Sequence, residues 1–113
     1  MEIAEEIIGR VIIVSPRGRL DSVTSPIFGN RLQQLASKPE PCLLIDLSGV
    51  TFISSAGLRA VTAALKTVHT ENGVLAVCAI KGPVQEVLDI NGFTALLRVF
   101  PERAIALKHL NVV

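Results

Sequence analysis

Two adjacent serines, Ser54 and Ser55, are the residues of this chain best placed to do chemistry. They follow a short apolar segment and begin a stretch of helical periodicity. The common role of such a serine is to cap the helix, where its hydroxyl accepts a hydrogen bond from a free backbone N–H and contributes about 1 kcal/mol. One cap does not require two serines, however, and Gly57 costs roughly 1 kcal/mol relative to alanine inside a helix. Capping remains the more common role, and the alternative is that Gly57 allows close approach of a partner's backbone.

Catalysis by this chain is not indicated by its other polar residues. A hydrolase nucleophile elbow needs glycine two residues before the serine, and Ile53 stands two residues before Ser55. His69 and His109 fall late in predicted helices, where surface positions near a helix C-terminus are favourable for a cation. The chain has neither the glycine-rich loop with lysine that binds phosphate nor a metal-ligand spacing. We therefore expect no enzyme activity, no cofactor and no metal.

Composition and charge limit the class of partner. The 113 residues predict a single domain, 1–113, and the formal net charge of +1 gives no basic excess for nucleic-acid binding. No window approaches the roughly 20 apolar residues of a membrane-spanning helix. Glutamates precede the first apolar run and Arg10 interrupts it, so we expect no secretory leader. Cys42 and Cys78 lie in aliphatic runs, which favours buried thiols in a cytoplasmic protein over a disulfide.

Short apolar runs alternate with stretches of helical period, which is typical of an α/β fold. Ser25 is predicted as the N-cap of the first helix with Pro26 at its first position, and Asn72-Gly73 and Asn91-Gly92 as helix ends. The predicted order is β-β-α-β-α-β-α-β-α, a mixed and mostly parallel sheet packed with about four helices. The predicted strands are 3–8, 11–14, 43–47, 74–80 and 97–100, and the predicted helices begin at 25, 54, 83 and 102.

The serine-containing segment resembles the signature of the STAS family, the domain shared by sulfate transporters and bacterial anti-sigma factor antagonists. The resemblance rests on Asp46-Leu47-Ser48, on Phe52-Ile53 and on Ser55-Ala56-Gly57-Leu58. Upstream, Gly18-Arg19-Leu20-Asp21 is similar to the family's turn after the second strand, and downstream the segment from Val87 to Phe93 is similar to its third helix and following turn. The resemblance implies the STAS fold for nearly the whole chain.

The resemblance also implies a stand-alone anti-sigma factor antagonist that works as a switch. In such members the serine aligned with Ser55 is phosphorylated by an anti-sigma factor that is also a serine kinase, and a serine phosphatase resets it. Unphosphorylated antagonist binds the anti-sigma factor and frees the sigma factor. Ser54 stands where many members have aspartate, so Ser54 is the alternative acceptor. The expected partner-binding residues are Asp21, Ser22, Ser54, Ser55, Gly57, Leu58 and Arg59.

Two other functions stay open at this point. One is a non-phosphorylated adaptor subunit in a transport or signalling assembly. The other is a small-ligand or nucleotide-binding regulatory domain that uses the start of the same helix.

Overall fold

The protein is described by a computed structural model that covers residues 1–90, 92 and 97–111. Within these residues the chain forms six strands and four helices. The strands are β1 Glu2–Ile8, β2 Val11–Leu20, β3 Cys42–Asp46, β4 Val50–Ile53, β5 Val74–Cys78 and β6 Arg98–Phe100. The helices are α1 Ser25–Ala36, α2 Ser55–Thr70, α3 Gly82–Ile90 and α4 Arg103–Leu110.

The sheet is mixed and mostly parallel, as predicted. Its order is β1-β2-β3-β5-β6, in which β1 pairs antiparallel with β2 and the other neighbours pair parallel. The β1–β2 turn passes through Gly9 at φ +61°, a left-handed conformation that glycine adopts without a steric penalty. The antiparallel edge follows from this short turn, because parallel neighbours need a long crossover.

One strand was missing from the predicted order, which treated the segment before Ser54 as a turn. The chain instead forms β4, which pairs parallel with the last residues of a β2 that extends to Leu20. Val50 and Ile53 are buried, while Thr51 between them is exposed. A four-residue strand beside polar turn residues carries too little periodicity to be recognised, and its pairing with β2 is what defines it.

The central strands are buried on both faces, as the uninterrupted apolar runs predict. Alternate residues of β2, β3 and β5 face a large core with α1, α2 and α3 on one side of the sheet and a smaller core with α4 on the other. Cys42 and Cys78 face the α4 side as buried free thiols. Burial raises the pKa of the Cys78 thiol to about 12, so both cysteines are ordinary core residues.

Helix α4 is held to the sheet by an ionic network. Arg103 donates to Asp46 (2.9 Å), to Glu6 (2.7 Å) and to the Ser15 hydroxyl (3.0 Å). Burial alone raises the pKa of Asp46, but hydrogen bonds from Ser48 and Arg103 outweigh it and leave the pKa below its usual range. The first aspartate of the sequence motif therefore anchors α4 on the face opposite α1 and α2.

The predicted helix ends agree with the structure after α2 and differ from it at the start of α1. Asn72 adopts φ +59° after α2, which confirms the left-handed C-cap. The predicted N-cap of α1 was wrong by one residue: Thr24 occupies that position, and Ser25 is already helical and 2% exposed. Asn91 of the predicted second cap and Phe93 of the family-like segment lie outside the described residues.

Candidate functional site

The start of α2 is fixed to the carboxyl end of β2. The backbone N–H of Ser54 donates to the Leu20 carbonyl (2.8 Å), which places the first turn of α2 beside the residues that follow β2. Ser54 is the N-cap, and its hydroxyl accepts from the backbone N–H of Gly57 at 3.4 Å. The capping role is thus confirmed for Ser54, although at this length the hydrogen bond is weak.

Ser55 differs from Ser54 in having no structural task. It is the first residue of α2 and is exposed. Within the described part of the chain its hydroxyl forms no hydrogen bond. A free hydroxyl at a helix N-terminus, with unpaired backbone N–H groups close by, is accessible to a second protein and can carry an added anion.

Contacts within the chain account for the glycine at position 57, so close approach of a partner's backbone is not needed to explain it. A Cβ atom at this position would lie 2.7 Å from Ile53 Cγ1 and 3.2 Å from both the Leu20 Cβ and its carbonyl oxygen. Gly57 is buried and Leu58 is 5% exposed, so both position the helix from inside. The glycine therefore lets α2 begin directly against the ends of β2 and β4.

Asp21 organises the turn between β2 and α1. Its Oδ1 accepts from the backbone N–H groups of Val23 and Thr24, both at 3.0 Å, and from the Thr24 hydroxyl at 3.2 Å. The hydrogen bond from the Thr24 N–H, followed by that from Val23, holds the pKa of Asp21 below its usual range. Because Leu20 bonds to Ser54, Asp21 and the exposed Ser22 lie at the same end of the molecule as Ser55.

A groove of about 290 Å³ runs between α1 and α2 from this end of the molecule. Arg59 lines the groove and is exposed. Ser25 also lines it but is buried, and its hydroxyl has no hydrogen-bond partner among the described residues. Small residues bring the helices together, since a Cβ on Gly29 would lie 3.2 Å from the Cβ of Ala60. The other lining residues are Pro26, Asn30, Gln33, Ala56 and Ala63.

The structure thus brings four expected residues, Asp21, Ser22, Ser54 and Ser55, to one end of the molecule, with Arg59 one helical turn along α2. Sequence reasoning missed three features there. Thr24 closes the Asp21 turn, and the Asp-x-x-Thr spacing could have indicated it. The guanidinium of Arg19 lies 4.2 Å from the centre of the Phe52 ring, and Val23 and Ile27 are exposed apolar side chains at 75% and 49%.

Neither a metal-ligand cluster nor a membrane-spanning helix is found among the described residues. They contain no group of three or more His, Cys, Asp or Glu side chains arranged to hold a metal ion. Among them there is also no helix with both the length and the apolar character needed to cross a membrane. The polar groups that the structure places at the start of α2 and beside it are the hydroxyls of Ser22, Ser54 and Ser55, the Asp21 carboxylate and the Arg59 guanidinium.

Comparison with known proteins gives consistent matches over almost the whole chain. The STAS domain family matches residues 2–106. A Bordetella bronchiseptica protein, BtrV, assigned as an anti-sigma factor antagonist, is 30% identical over 94% of this chain and 91% of its own length. An anti-sigma factor antagonist from Mycobacterium paratuberculosis has a crystal structure with a TM-score of 0.87 at 27% identity, over 98% of this chain and 94% of that one.

A more distant structure shares the fold alone. The Bacillus cell fate determinant SpoIIAA, solved in its phosphorylated form, aligns with a TM-score of 0.72 at 10% identity over 96% of this chain and 99% of that one. The family match over residues 2–106, the whole-chain relatives and the structural neighbours agree with one another. The chain therefore belongs to the STAS domain family, among the anti-sigma factor antagonists.

Proposed function

We propose that this protein is a phosphorylation-controlled interaction module that binds an anti-sigma factor with serine kinase activity and thereby releases a sigma factor. In this proposal the unphosphorylated form binds the kinase, and a serine phosphatase restores it after phosphorylation. The protein acts in the cytoplasm and is a substrate of both enzymes, with no catalysis of its own. The observation that carries the proposal is the division of labour between the two serines: Ser54 caps α2, and the exposed Ser55 hydroxyl is free.

The position of Ser55 suits transfer of a phosphoryl group. Its Oγ attacks the γ-phosphorus of ATP held by the kinase, the bond to the ADP oxygen breaks, and the hydroxyl proton passes to a base of the kinase. The product carries about −1.5 to −2 charges and three acceptor oxygens. Since free N–H groups and the helix dipole favour an anion at this end of α2, the domain can carry the phosphate without unfolding.

The same charge disfavours a bound partner. A surface packed over Ser55 would have to bury the phosphate at the end of the molecule that also holds Asp21. The Asp21 carboxyl is ionised at neutral pH, and hydrogen bonds from Thr24 and Val23 lower its pKa further. Juxtaposed like charges at an interface cost several kcal/mol. The exposed apolar side chains Val23 and Ile27 supply contact area at this end, so the phosphate acts where a partner would gain most.

The test is phosphorylation by the anti-sigma factor kinase encoded in the same genome, followed by mass spectrometry of the intact protein and its peptides. We expect one phosphate per chain with ATP, none on Ser55→Ala, and a normal amount on Ser54→Ala after correction for folded fraction. Phosphate on Ser54 in the wild-type protein would move the acceptor to the alternative residue. The kinase is shown to be functional by its autophosphorylation or by its binding of the sigma factor. If no phosphate is then incorporated on either serine, the switch is refuted and a non-phosphorylated adaptor is favoured.

A further inference from the structure

We propose that the groove between α1 and α2 receives a carboxylate side chain of the protein partner, that Arg59 binds this carboxylate, and that a phosphate on Ser55 competes for the same guanidinium. The inference rests on the proposed function and adds to it the chemistry of the partner surface and the way in which the phosphate displaces it. The partner is expected to present Asp or Glu within an otherwise small or apolar contact.

Arg59 is a cation without a counter-ion. Within the part of the chain that the structure describes, the ion pairs belong to Arg31 with Glu5 and to Arg103 with Glu6 and Asp46, and Arg59 takes part in no hydrogen bond or ion pair. Its neighbour along the chain, Leu58, is buried, which fixes the backbone from which the Arg59 side chain extends. An exposed arginine on a rigid helix is well suited to bind a carboxylate through two parallel hydrogen bonds.

Among the described residues that line the groove, the one charged side chain is Arg59. Arg31 pairs with Glu5 and, like Lys66, does not line the groove. The sequences of α1 and α2 contain no aspartate or glutamate, so neither helix supplies a carboxylate beside Arg59. Charge complementarity at interfaces selects a partner of the opposite sign, which here means an acidic segment.

The shape of the groove favours a side chain of a protein over a free small molecule. It is open to solvent and mostly lined by small residues, with alanines on the α2 side and Pro26 and Gly29 on the α1 side. An inserted side chain would be covered by the rest of the partner, whereas a free ligand would stay exposed. Ser25 also lines the groove, and its hydroxyl is enclosed and unpartnered among the described residues.

Competition follows from the spacing of Ser55 and Arg59 on α2. Residues four apart on a helix lie on one face, with about 5–6 Å between their Cβ atoms, so they interact directly. A phosphate dianion on Ser55 is therefore within reach of the Arg59 guanidinium. Phosphorylation would add repulsion at the helix start and would also occupy the cation that the partner uses.

The first experiment measures the dissociation constant for the anti-sigma factor by calorimetry with unphosphorylated protein. Arg59→Gln should raise it about tenfold, Arg59→Lys should raise it less, and the dependence of affinity on salt should weaken in Arg59→Gln. Lys66→Gln is the matched control, because it removes an exposed cation from the same helix about 10 Å further along the axis. Equal melting temperatures of the variants establish that each is folded.

The second experiment needs no partner. Phosphoserine is incorporated at position 55, and the phosphate is titrated by ³¹P NMR in the wild-type, Arg59→Gln and Lys66→Gln backgrounds. Asp21 is present in all three, so only the cation differs. The phosphate pKa, near 6 for a free phosphoserine, should be higher in Arg59→Gln by about 0.3 and unchanged in Lys66→Gln.

The outcomes separate the two proposals. If the wild-type protein does not bind the anti-sigma factor, the proposed function fails and the carboxylate contact fails with it. If the wild-type protein binds and Arg59→Gln binds equally well, only the carboxylate contact is overturned. An unchanged phosphate pKa in Arg59→Gln overturns the competition alone.

Discussion

The starts of α1 and α2 lie at the same end of the molecule and are built in opposite ways. At α1, side chains supply the hydrogen bonds: Asp21 accepts from the N–H groups of Val23 and Thr24, and the Thr24 hydroxyl accepts from the Asp21 N–H. The single proton of that hydroxyl is shared between the Arg19 carbonyl and the Asp21 carboxylate. At α2, one side-chain hydrogen bond of 3.4 Å is present, and the helix is held mainly by the close contact of Gly57 with β2 and β4.

The difference shows how a turn held by side-chain hydrogen bonds and a helix start with an exposed hydroxyl can lie side by side. At α1 the carboxylate of Asp21 and the hydroxyl of Thr24 both hold the turn together, so a modification of either would break structure. At α2 the position of the helix depends on a buried glycine and on backbone bonding of Ser54, which leaves the Ser55 hydroxyl without a hydrogen bond to any described residue. Gly57, which positions the helix, and Ser55, which is exposed, are thus different residues two positions apart.

The largest expected effect comes from filling the space at Gly57. Gly57→Ala places a methyl group 2.7 Å from Ile53 Cγ1, so side chains or the helix must shift, and we expect a loss of about 1–3 kcal/mol in the free energy of unfolding. The measurement is chemical denaturation. Gly82→Ala is the control, because a Cβ there meets nothing within 4 Å. A Gly57→Ala protein within about 0.5 kcal/mol of wild type would show that α2 is not held by this contact.

Removing the acceptor at α1 should have the next largest effect. Asp21→Ala leaves the N–H groups of Val23 and Thr24 without their acceptor, so the melting temperature should fall, by less than in Gly57→Ala and by more than in Ser54→Ala.

This difference should depend on pH in one direction. The pKa of Asp21 in the folded protein lies below its ordinary value of 3.8, so the ionised carboxylate stabilises the fold above that value. The stabilisation is lost as the pH falls through the lowered pKa. The gap in melting temperature between wild type and Asp21→Ala should therefore be constant near neutrality and shrink in acid. A gap that widens in acid would contradict the assignment.

The smallest effects distinguish the two serines. Ser54→Ala removes a weak cap and should cost about 0.5–1 kcal/mol, whereas Ser55→Ala should leave the free energy of unfolding within about 0.5 kcal/mol of wild type. Parallel denaturation curves of the two variants measure both values. The reverse order would show that Ser55 is the structural serine.

Much of the fold follows from the sequence because its signals are local. Uninterrupted apolar runs predict strands covered on both faces, and the spacing of Leu58, Val61, Leu65 and Val68 predicts one face of α2, on which all four pack into the core or against it. The strand β4 could not be predicted in this way, because it depends on pairing with the end of β2, which is distant in sequence. The N-cap of α1 has a local signal, the Asp-x-x-Thr spacing of the Asp21 turn, which the Ser-Pro pair next to it obscured.

The sequence identifies the segment that forms the candidate site, but it does not predict the surface around that segment. The motif identifies Ser54 and Ser55, but the residues alone do not show which hydroxyl is used for capping. The orphan hydroxyl of Ser25 and the groove beside Arg59 arise from the packing of α1 on α2, which no spacing in the sequence specifies. Phosphorylation of Ser55 and the identity of the partner remain predictions that the experiments above address.

The contact of Gly57 with Leu20 and Ile53 also bears on where a change at Ser55 would act. A Cβ at Gly57 would already press against both residues, so the first turn of α2 has no free space on its sheet side. Under the proposed function, a phosphate on Ser55 is therefore accommodated on the outer surface of the helix, where a partner meets it, and not by movement of the helix into the core.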